Sequence, residues 1–182
     1  HTRYISVTGV QTCALPILTE DGALVATGQV TSTDVDHGAT ANYSGDATGV
    51  YGTFAVNAKT GEWTYNMSND THQNLKAGET HTETFTVTVT DDKGDTATQD
   101  VTITVTGTND APVITSDTQS GAVQEDVTLS TTGQVTSSDV DHGATARYSG
   151  NKAGDYGAFA VDAETGEWTH NLSNEDRKST RL

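Results

Sequence analysis

The segment Thr82–Thr106 reads TETFTVTVTDDKGDTATQDVTITVT. In its first part the apolar residues Phe85, Val87 and Val89 alternate with Thr, and the same alternation returns in its last part. Strict alternation is typical of a β-strand with one buried face, and the intervening DDKGD has the composition of a turn. The segment therefore predicts an antiparallel hairpin whose Phe and Val side chains face a core.

Upstream of this hairpin, the sequence predicts a second one. Gly52–Val56 and Glu62–Met67 flank the turn sequence NAKTG, and this arrangement is a hairpin signal. His72–Ala77 is the segment expected to form a short helical turn. Trp63 and Trp168 occupy equivalent strand positions, and we interpret both as core aromatics rather than sugar-stacking side chains.

The composition of the 182-residue chain narrows its class. There are 35 Thr, hydrophobic residues make up 32%, and aromatic residues 6%. Because Thr favours strands over helices, this composition indicates an all-β protein with a thin core.

The formal net charge of −16 argues against a nucleic-acid partner, since phosphate binders carry basic patches. No apolar stretch approaches the roughly 20 residues that would span a membrane, and the single Cys excludes an intrachain disulfide.

The sequences at the two ends of the chain are related through the DNA that can encode them. Gln11–Ile17 reads QTCALPI and Asp176–Leu182 reads DRKSTRL, and one DNA segment encodes both peptides when its opposite strands are translated. That DNA resembles a short-read sequencing-library adapter. We therefore predict that residues 1–17 and 176–182 are adapter-derived, not native, and we expect them to join no sheet.

Between these ends lies an internal repeat. Residues 28–45 read GQVTSTDVDHGATANYSG, and residues 133–150 read GQVTSSDVDHGATARYSG. The offset of 105 residues holds without a gap over 53 positions, of which 35 are identical. This period is too long for a solenoid and is about the size of an immunoglobulin-like sandwich. We predict tandem antiparallel β-sandwiches, one over residues 18–111 and an incomplete one over residues 112–175.

The repeat resembles a known family. GTFAVNAKTGEWTYNMSN, LKAGETHTETFTVTVTD and VTITVTGTNDAPVI, in this order, resemble the VCBS repeat of giant bacterial surface proteins and adhesins. The same segments are similar to cadherin repeats. Asp34-Val35-Asp36 with Tyr43-Ser44 resembles the cadherin D-x-D…YS segment, and Asn109–Pro112 resembles the linker between cadherin domains.

The cadherin resemblance implies a calcium site, because Ca²⁺ takes six to eight oxygen ligands and loops of two repeats meet at a junction. The implied ligands are carboxylates and one amide, in three groups. Those of the junction near residues 107–112 are Glu20, Asp70, Asn109, Asp110, Asp139 and Asp141. Asp34 and Asp36 would serve a preceding junction, and Glu125 and Glu175 a following one.

Two departures from cadherins lower the expected number of ligands. Ser68 and Ser173 stand where cadherins have an Asp, and the linker lacks a second Asn before Ala-Pro. An alternative also stays open, because Asp and Asn in turns often bond only to their own backbone. Zinc and catalysis are poorly supported: His37 and His142 occur once per repeat without Cys partners, and no nucleophile motif is present.

The resemblance implies a non-catalytic, calcium-stiffened spacer in the stalk of a large extracellular bacterial adhesin, acting in adhesion or biofilm formation. Its partners would be neighbouring repeats of the same chain. One alternative is a repeat that itself binds polysaccharide or another cell's repeats, in which case both copies should share an exposed aromatic or polar groove. Another is an appendage of a secreted hydrolase.

Overall fold

The computed structural model contains strands in both halves of the chain, and those of the segment 82–106 alternate Thr with apolar residues. The structure describes residues 5–10, 16–35 and 39–173, with the backbone alone for residues 5–10 and Thr71. The chain divides into two units, His1–Asn109 and Asp110–Leu182. The first unit contains β1 (Ile5–Val10), β2 (Ile17–Thr19), β3 (Val25–Asp34), β4 (Ala41–Ser44), β5 (Ala47–Thr48), β6 (Gly52–Val56), β7 (Glu62–Met67), β8 (Thr80–Asp91) and β9 (Thr96–Thr106), with a 3₁₀ turn at Asn69–Thr71. The second contains β10 (Val113–Ile114), β11 (Ser130–Gln134), β12 (Ser137–Ser138), β13 (Lys152–Gly154), β14 (Gly157–Val161) and β15 (Glu167–Leu172).

The first unit is a sandwich of two sheets. One sheet has the strand order β1-β3-β7-β6-β5, and the other has the order β2-β9-β8-β4. The predicted hairpin is confirmed: β8 and β9 pair antiparallel with Phe85 opposite Val101. Phe85, Val87 and Val89 are buried as the alternation predicts, while the intervening Thr86 is exposed.

Aromatic side chains join the two sheets of the first unit. Phe54 of β6 stacks on Phe85 of β8, with ring centroids 4.8 Å apart and an interplanar angle of 5°. Phe54 also stacks on Trp63 of β7 at 5.6 Å. The interpretation of Trp63 as a core residue is confirmed, since it is buried together with Tyr65.

The second unit reproduces only part of this sandwich among its described residues. β11, β15, β14 and β13 form one sheet, and by the 105-residue offset they correspond to β3, β7, β6 and β5. β10 pairs with β12 in a separate two-stranded sheet. The described part of the second unit contains no strands that correspond to β8 and β9, and Tyr148 and Phe159 are half-buried there. The prediction of an all-β fold is confirmed, while the bounds of the two repeats stay a prediction.

One expectation for the N-terminal segment is wrong. β1 pairs antiparallel with β3, with Ile5 opposite Asp34, and Ile17 begins β2, which runs parallel to β9. The outer edge of β3 offers backbone N–H and C=O groups that any extended segment can pair with, and the Ile/Val content of residues 5–10 favours a strand. Because such pairing does not depend on side-chain identity, the adapter origin of residues 1–17 stays a prediction. Residues 176–182 lie outside the described residues.

The expected helical turn is also misplaced. His72–Ala77 has no helical structure, whereas Asn69–Thr71 just before it forms the 3₁₀ turn. The polar sequence NDT places hydrogen-bonding side chains where they compete with strand formation. In the described part of the chain, no helix is long and apolar enough to cross a membrane.

Candidate functional site

Glu20 is a buried carboxylate at the end of β2 in the first unit, with 1% of its surface exposed. Its N–H donates to the Thr106 carbonyl (3.1 Å), and its Oε2 accepts a hydrogen bond from the Thr108 N–H (3.3 Å). Thr106 ends β9, and Asn109 follows Thr108 directly. The structure thus brings two predicted ligands, Glu20 and Asn109, to the same end of the first unit.

The loop after β2 connects this end to Asp70. Asp21 N–H donates to Asn69 Oδ1 (3.0 Å), and Asn69 Nδ2 donates to Asp21 Oδ1 (2.9 Å). Asn69 begins the 3₁₀ turn that contains Asp70. This reciprocal pair holds the turn against the loop, so Asp70 lies at the end of the unit that also carries Glu20.

In the second unit, three further predicted ligands are connected by hydrogen bonds. The Asp110 N–H donates to Asp141 Oδ2 (3.2 Å), and the Asp141 N–H donates to Asp139 Oδ1 (3.0 Å). Asp141 is only 8% exposed. Its Oδ1 is buried and accepts no hydrogen bond from the described residues. A buried carboxylate oxygen without a donor is costly, and a cation would compensate it.

The remaining predicted ligands are not brought together in the described residues. Asp34 is the last residue of β3, while Asp36 and Glu175 lie outside the described residues. Glu125 is exposed in a turn closed by the bridge between Gln124 and Thr128. Its counterpart Glu20 is buried because β9 and Thr108 cover it, and the second unit has no equivalent strand between residues 110 and 173.

The donor set is suited to a hard cation, although neither unit completes a site. Among the described residues, no group of three or more His, Cys, Asp or Glu side chains lies close enough together to hold a metal ion. The predicted ligands supply only carboxylate and amide oxygens, which Ca²⁺ prefers. The buried Asp141 Oδ1 is an acceptor that a cation would suit, and the oxygen donors match the chemistry of calcium.

Sequence reasoning missed a supporting residue next to each predicted glutamate. Asp21 has a φ of 57° and Asp126 a φ of 59°, a left-handed conformation that residues other than Gly rarely adopt. Asp is among the few side chains that tolerate it. The signal was present in the sequence, because the pair Glu-Asp recurs unchanged at the 105-residue offset.

Comparison with solved structures shows a cadherin fold. The chain is similar to PcdhgB3 EC1-4 (TM-score 0.58, 19% identity, 96% of this chain and 42% of that one). It is also similar to Protocadherin Gamma B2 extracellular cadherin domains 1-5 (TM-score 0.52, 17% identity, 98% of this chain and 34% of that one). The chain therefore spans less than half the length of these structures.

Comparison by sequence identifies the family. No curated protein matches the chain. The model of the bacterial cadherin-like domain matches residues 11–107, which is more than half of the chain. The matched region contains β2 to β9 of the first unit and its buried Glu20. The chain belongs to the family of bacterial cadherin-like domains.

Proposed function

We propose that this chain is a non-catalytic, calcium-stiffened repeat module of the VCBS type in a large extracellular bacterial adhesin. It would act as a spacer in the stalk, with neighbouring repeats of the same chain as its partners. The observation that carries the calcium proposal is the buried Asp141 Oδ1, which accepts no hydrogen bond from the described residues. Near-identical tandem copies suit a spacer, because a spacer needs length rather than a unique surface.

We propose that one calcium ion takes ligands from both units next to the Asn109–Asp110 peptide. The first unit would contribute Glu20, Asp70 and Asn109, and the second unit would contribute Asp110, Asp139 and Asp141. Covalent continuity supports this division, because Asn109 and Asp110 are consecutive residues. The Thr108 N–H donates to Glu20 in the first group, and the Asp110 N–H donates to Asp141 in the second. Bound calcium would neutralise carboxylates that otherwise repel one another.

The charge of the chain supports a role for a divalent cation. The formal net charge is −16, and five of the six proposed ligands are carboxylates. Without a cation these carboxylates would repel one another, and the linker Thr108–Ala111 would act as a hinge. With the cation, the residues around Asn109 would be held in one arrangement, which is what a stiff stalk requires.

The described surfaces favour a spacer over a repeat that binds polysaccharide through aromatic side chains. Among the described residues, Tyr156 is the exposed aromatic side chain, at 73%. Its counterpart in the first unit, Tyr51, is 6% exposed. A sugar-stacking surface common to both repeats should expose the same aromatic side chain in each, and this pair does not.

The calcium proposal is tested by thermal unfolding and small-angle scattering of the chain, with calcium and with chelator. Binding to the folded state alone adds RT ln(1 + [L]/Kd), which is about 2.7 kcal/mol at a hundredfold excess over Kd. We expect calcium to raise the melting temperature and to narrow the distribution of molecular dimensions. Asp139→Asn and Asp141→Asn should each remove most of this gain.

The matched control is Asp46→Asn. Asp46 Oδ1 accepts a hydrogen bond from the Val56 N–H (2.7 Å), and its counterpart Asn151 makes the same bond to the Val161 N–H (2.8 Å). The control therefore removes one carboxylate and keeps the local structure, so the calcium response should persist. If calcium and chelator leave both melting and scattering unchanged, the acidic residues are turn formers and the proposal is wrong.

A further inference from the structure

Two tripeptides at equivalent places in the repeats have the sequence Asn-x-Ser. They are Asn66–Ser68 (NMS) and Asn171–Ser173 (NLS). This pattern is an acceptor sequence for N-linked sugars, in which the asparagine amide receives the sugar and the third residue supplies a hydroxyl. The middle residue changes from Met to Leu between the repeats, whereas the amide and the hydroxyl occur in both.

The strand conformation of the first tripeptide places the amide and the hydroxyl on the same side of the sheet. Asn66 of β7 is exposed, Met67 is buried, and Ser68 is exposed again, as expected for side chains that alternate along a strand. Pairing continues to the end of the tripeptide, because the Ser68 N–H donates to the Tyr51 carbonyl (2.8 Å). An enzyme that approached the outer face of β7, the face turned away from the core, would therefore meet both groups of the pattern.

The second repeat presents its tripeptide in the same way. Asn171 of β15 is exposed, and the Ser173 N–H donates to the Tyr156 carbonyl (3.1 Å). Tyr156 is the counterpart of Tyr51 at the 105-residue offset. The two tripeptides thus have equivalent backbone pairing.

Packing and hydrogen bonding do not explain why both strands contain an asparagine at this position. Asn is disfavoured in strands, and within the described part of the chain the side-chain amides of Asn66 and Asn171 have no hydrogen-bond partner. The residues directly opposite also differ between the units, being Val25 and Thr53 in the first and Ser130 and Ala158 in the second. The asparagine therefore recurs in two different surroundings without a structural role that would select it.

The other tripeptides of this kind in the described residues differ from these two. Asn69–Thr71 (NDT) lies in the 3₁₀ turn, and Asn69 Nδ2, the atom that would receive a sugar, donates to Asp21 Oδ1 (2.9 Å). Asn42–Ser44 (NYS) has no counterpart, because Arg147 replaces Asn42 in the second repeat. Asn69 is therefore an internal control whose amide is already engaged.

A groove beside Asn66 has room for a sugar. Its volume is about 380 Å³, within the range of about 300–1,000 Å³ that is usual for small-molecule sites. Its lining includes Thr53, Ser68 and His72, together with the exposed Val50. Hydroxyl and imidazole groups can hydrogen-bond to sugar hydroxyls, so a sugar attached to Asn66 could pack against the first unit.

We propose that Asn66 and Asn171 each accept one N-linked sugar, at equivalent places on the outer faces of the two repeats. The donor is a sugar activated at C1 by a diphosphate, which a nucleotide or a lipid carries. Asn Nδ2 forms a bond to C1 while the bond between C1 and the diphosphate oxygen breaks. The diphosphate leaves with the electron pair, and a base of the transferase takes one proton from the amide. This proposal depends neither on calcium nor on the role as a spacer.

The test treats the folded chain with transferases that recognise Asn-x-Ser/Thr and locates the sugars by mass spectrometry of peptides. One arm uses a soluble enzyme with UDP-glucose, and the other uses a membrane enzyme with an oligosaccharide on a lipid diphosphate. We expect one sugar at Asn66 and one at Asn171 in at least one arm, which identifies the carrier of the donor. If either asparagine stays unmodified in both arms, the proposal is wrong.

A peptide of residues 60–72 separates the effect of the structure from that of the local sequence, because it contains both Asn66 and Asn69. We expect the ratio of the modification rate at Asn66 to that at Asn69 to be at least roughly tenfold higher in the folded chain than in the peptide, since the hydrogen bonds of Asn69 to Asp21 must break first. Equal ratios would show that the fold does not select the acceptor, which contradicts the proposal.

Three variants complete the test. Asp21→Gly suits the positive φ of Asp21 and should raise modification of Asn69 several-fold without changing Asn66. Ser68→Ala keeps the backbone N–H and should abolish the sugar at Asn66 while Asn171 is modified as before. Asn66→Gln should leave the melting temperature unchanged. A melting temperature that falls as it does for a core substitution would give Asn66 a structural role and overturn the argument for an acceptor.

Discussion

Trp63 of β7 packs against Gly28 of β3. This contact explains why Gly and Trp recur at the equivalent positions of the second unit. Gly28 lies opposite Trp63 in the antiparallel pair. A Cβ atom on Gly28 would lie 2.4 Å from Trp63 Cζ2, and one on Gly133 would lie 2.5 Å from Trp168 Cζ2. The indole therefore occupies the space above a glycine in both units, and neither position has room for a side chain.

Gly28→Ala should lower the stability of the first unit by about 1–3 kcal/mol, the usual cost of overpacking a core. Trp63 is buried and cannot move away without displacing its neighbours. Unfolding is followed by Trp63 fluorescence in a Trp168→Phe background, so that the first unit alone is observed. The control Gly154→Ala places its Cβ at an ordinary 3.5 Å from the Gly157 carbonyl oxygen and should leave this transition unchanged. A stability of Gly28→Ala equal to that of the parent would contradict the argument.

Asp162 provides a second test at one side chain. Hydrogen bonds from the backbone N–H groups of Thr165 (2.8 Å) and Glu164 (2.9 Å) to its Oδ1 lower the pKa of Asp162. A lowered folded-state pKa means that the stabilisation is present above the ordinary Asp pKa and is lost as pH falls through the lowered value. We expect the carboxyl carbon of Asp162 to titrate by NMR below the about 3.9 of an unperturbed Asp.

The first repeat supplies the control for this titration. Its equivalent residue is Asn57, whose Oδ1 accepts hydrogen bonds from the N–H groups of Lys59 (2.9 Å) and Thr60 (3.2 Å). Asp162→Asn should therefore keep the turn and remove its response to acid. An Asp162 midpoint at or above the unperturbed value would show that the two N–H bonds do not favour the charged form.

Among the strands, β8 has a second role besides covering the core, because it carries the buried Glu83. Glu83 Oε2 accepts a hydrogen bond from Tyr65 OH (2.5 Å). Its Oε1 accepts hydrogen bonds from the N–H groups of Val50 and Tyr51. Hydrogen bonds to this one carboxylate thus connect β8 to β7 and to the loop after β5. Burial, followed by the hydrogen bond to Glu83 and the charge of Glu83, raises the pKa of Tyr65.

Glu83→Ala should destabilise the first unit by about 3 kcal/mol, because it leaves a buried hydroxyl and two backbone N–H groups without their acceptor. Chemical denaturation of the chain, monitored at Trp63, measures the loss. Thr84→Ser alters an exposed neighbour on the other face of β8 and should change stability by no more than about 0.5 kcal/mol. If the two variants are equally stable, the carboxylate contributes no net stabilisation.

The two units place nearly the same residues in different surroundings, because the described part of the second unit has no strands equivalent to β8 and β9. Phe54 and Tyr43 are buried in the first unit, whereas Phe159 and Tyr148 are half-buried in the second. Fully burying a large apolar side chain stabilises a fold by about 1.5–3 kcal/mol. Several such side chains differ in burial between the units. The summed difference in free energy is comparable to the whole free energy of unfolding of a small domain.

We therefore expect the second unit to be less stable than the first by several kcal/mol. Native-state hydrogen exchange checks this directly, because β7 (Glu62–Met67) and β15 (Glu167–Leu172) are equivalent strands in one chain. Amides of β15 should exchange much faster than those of β7 under the same conditions. Equal protection of the two strands would mean that the difference in burial costs little.

Local patterns in the chain were enough to predict the strands and the repeat. Alternation of Phe and Val with Thr placed β8 and β9, and the turn sequence NAKTG placed β6 and β7, because a period of two depends only on neighbouring residues. The 105-residue identity likewise predicted two units of one fold. The acidic residues that the cadherin resemblance selected could be named in advance for the same reason, since motifs are local.

Pairing between segments that are distant in the sequence determined the features that local patterns did not predict. β1 joined the edge of β3 although its sequence carries no sign of that partner, because backbone hydrogen bonds do not distinguish one extended segment from another. Glu20 is buried and Glu125 exposed although both stand in the same local sequence, because the strand that covers Glu20 lies more than 70 residues away along the chain. The tertiary structure alone determines burial of this kind, since it depends on which distant element packs against a residue and not on the residues beside it.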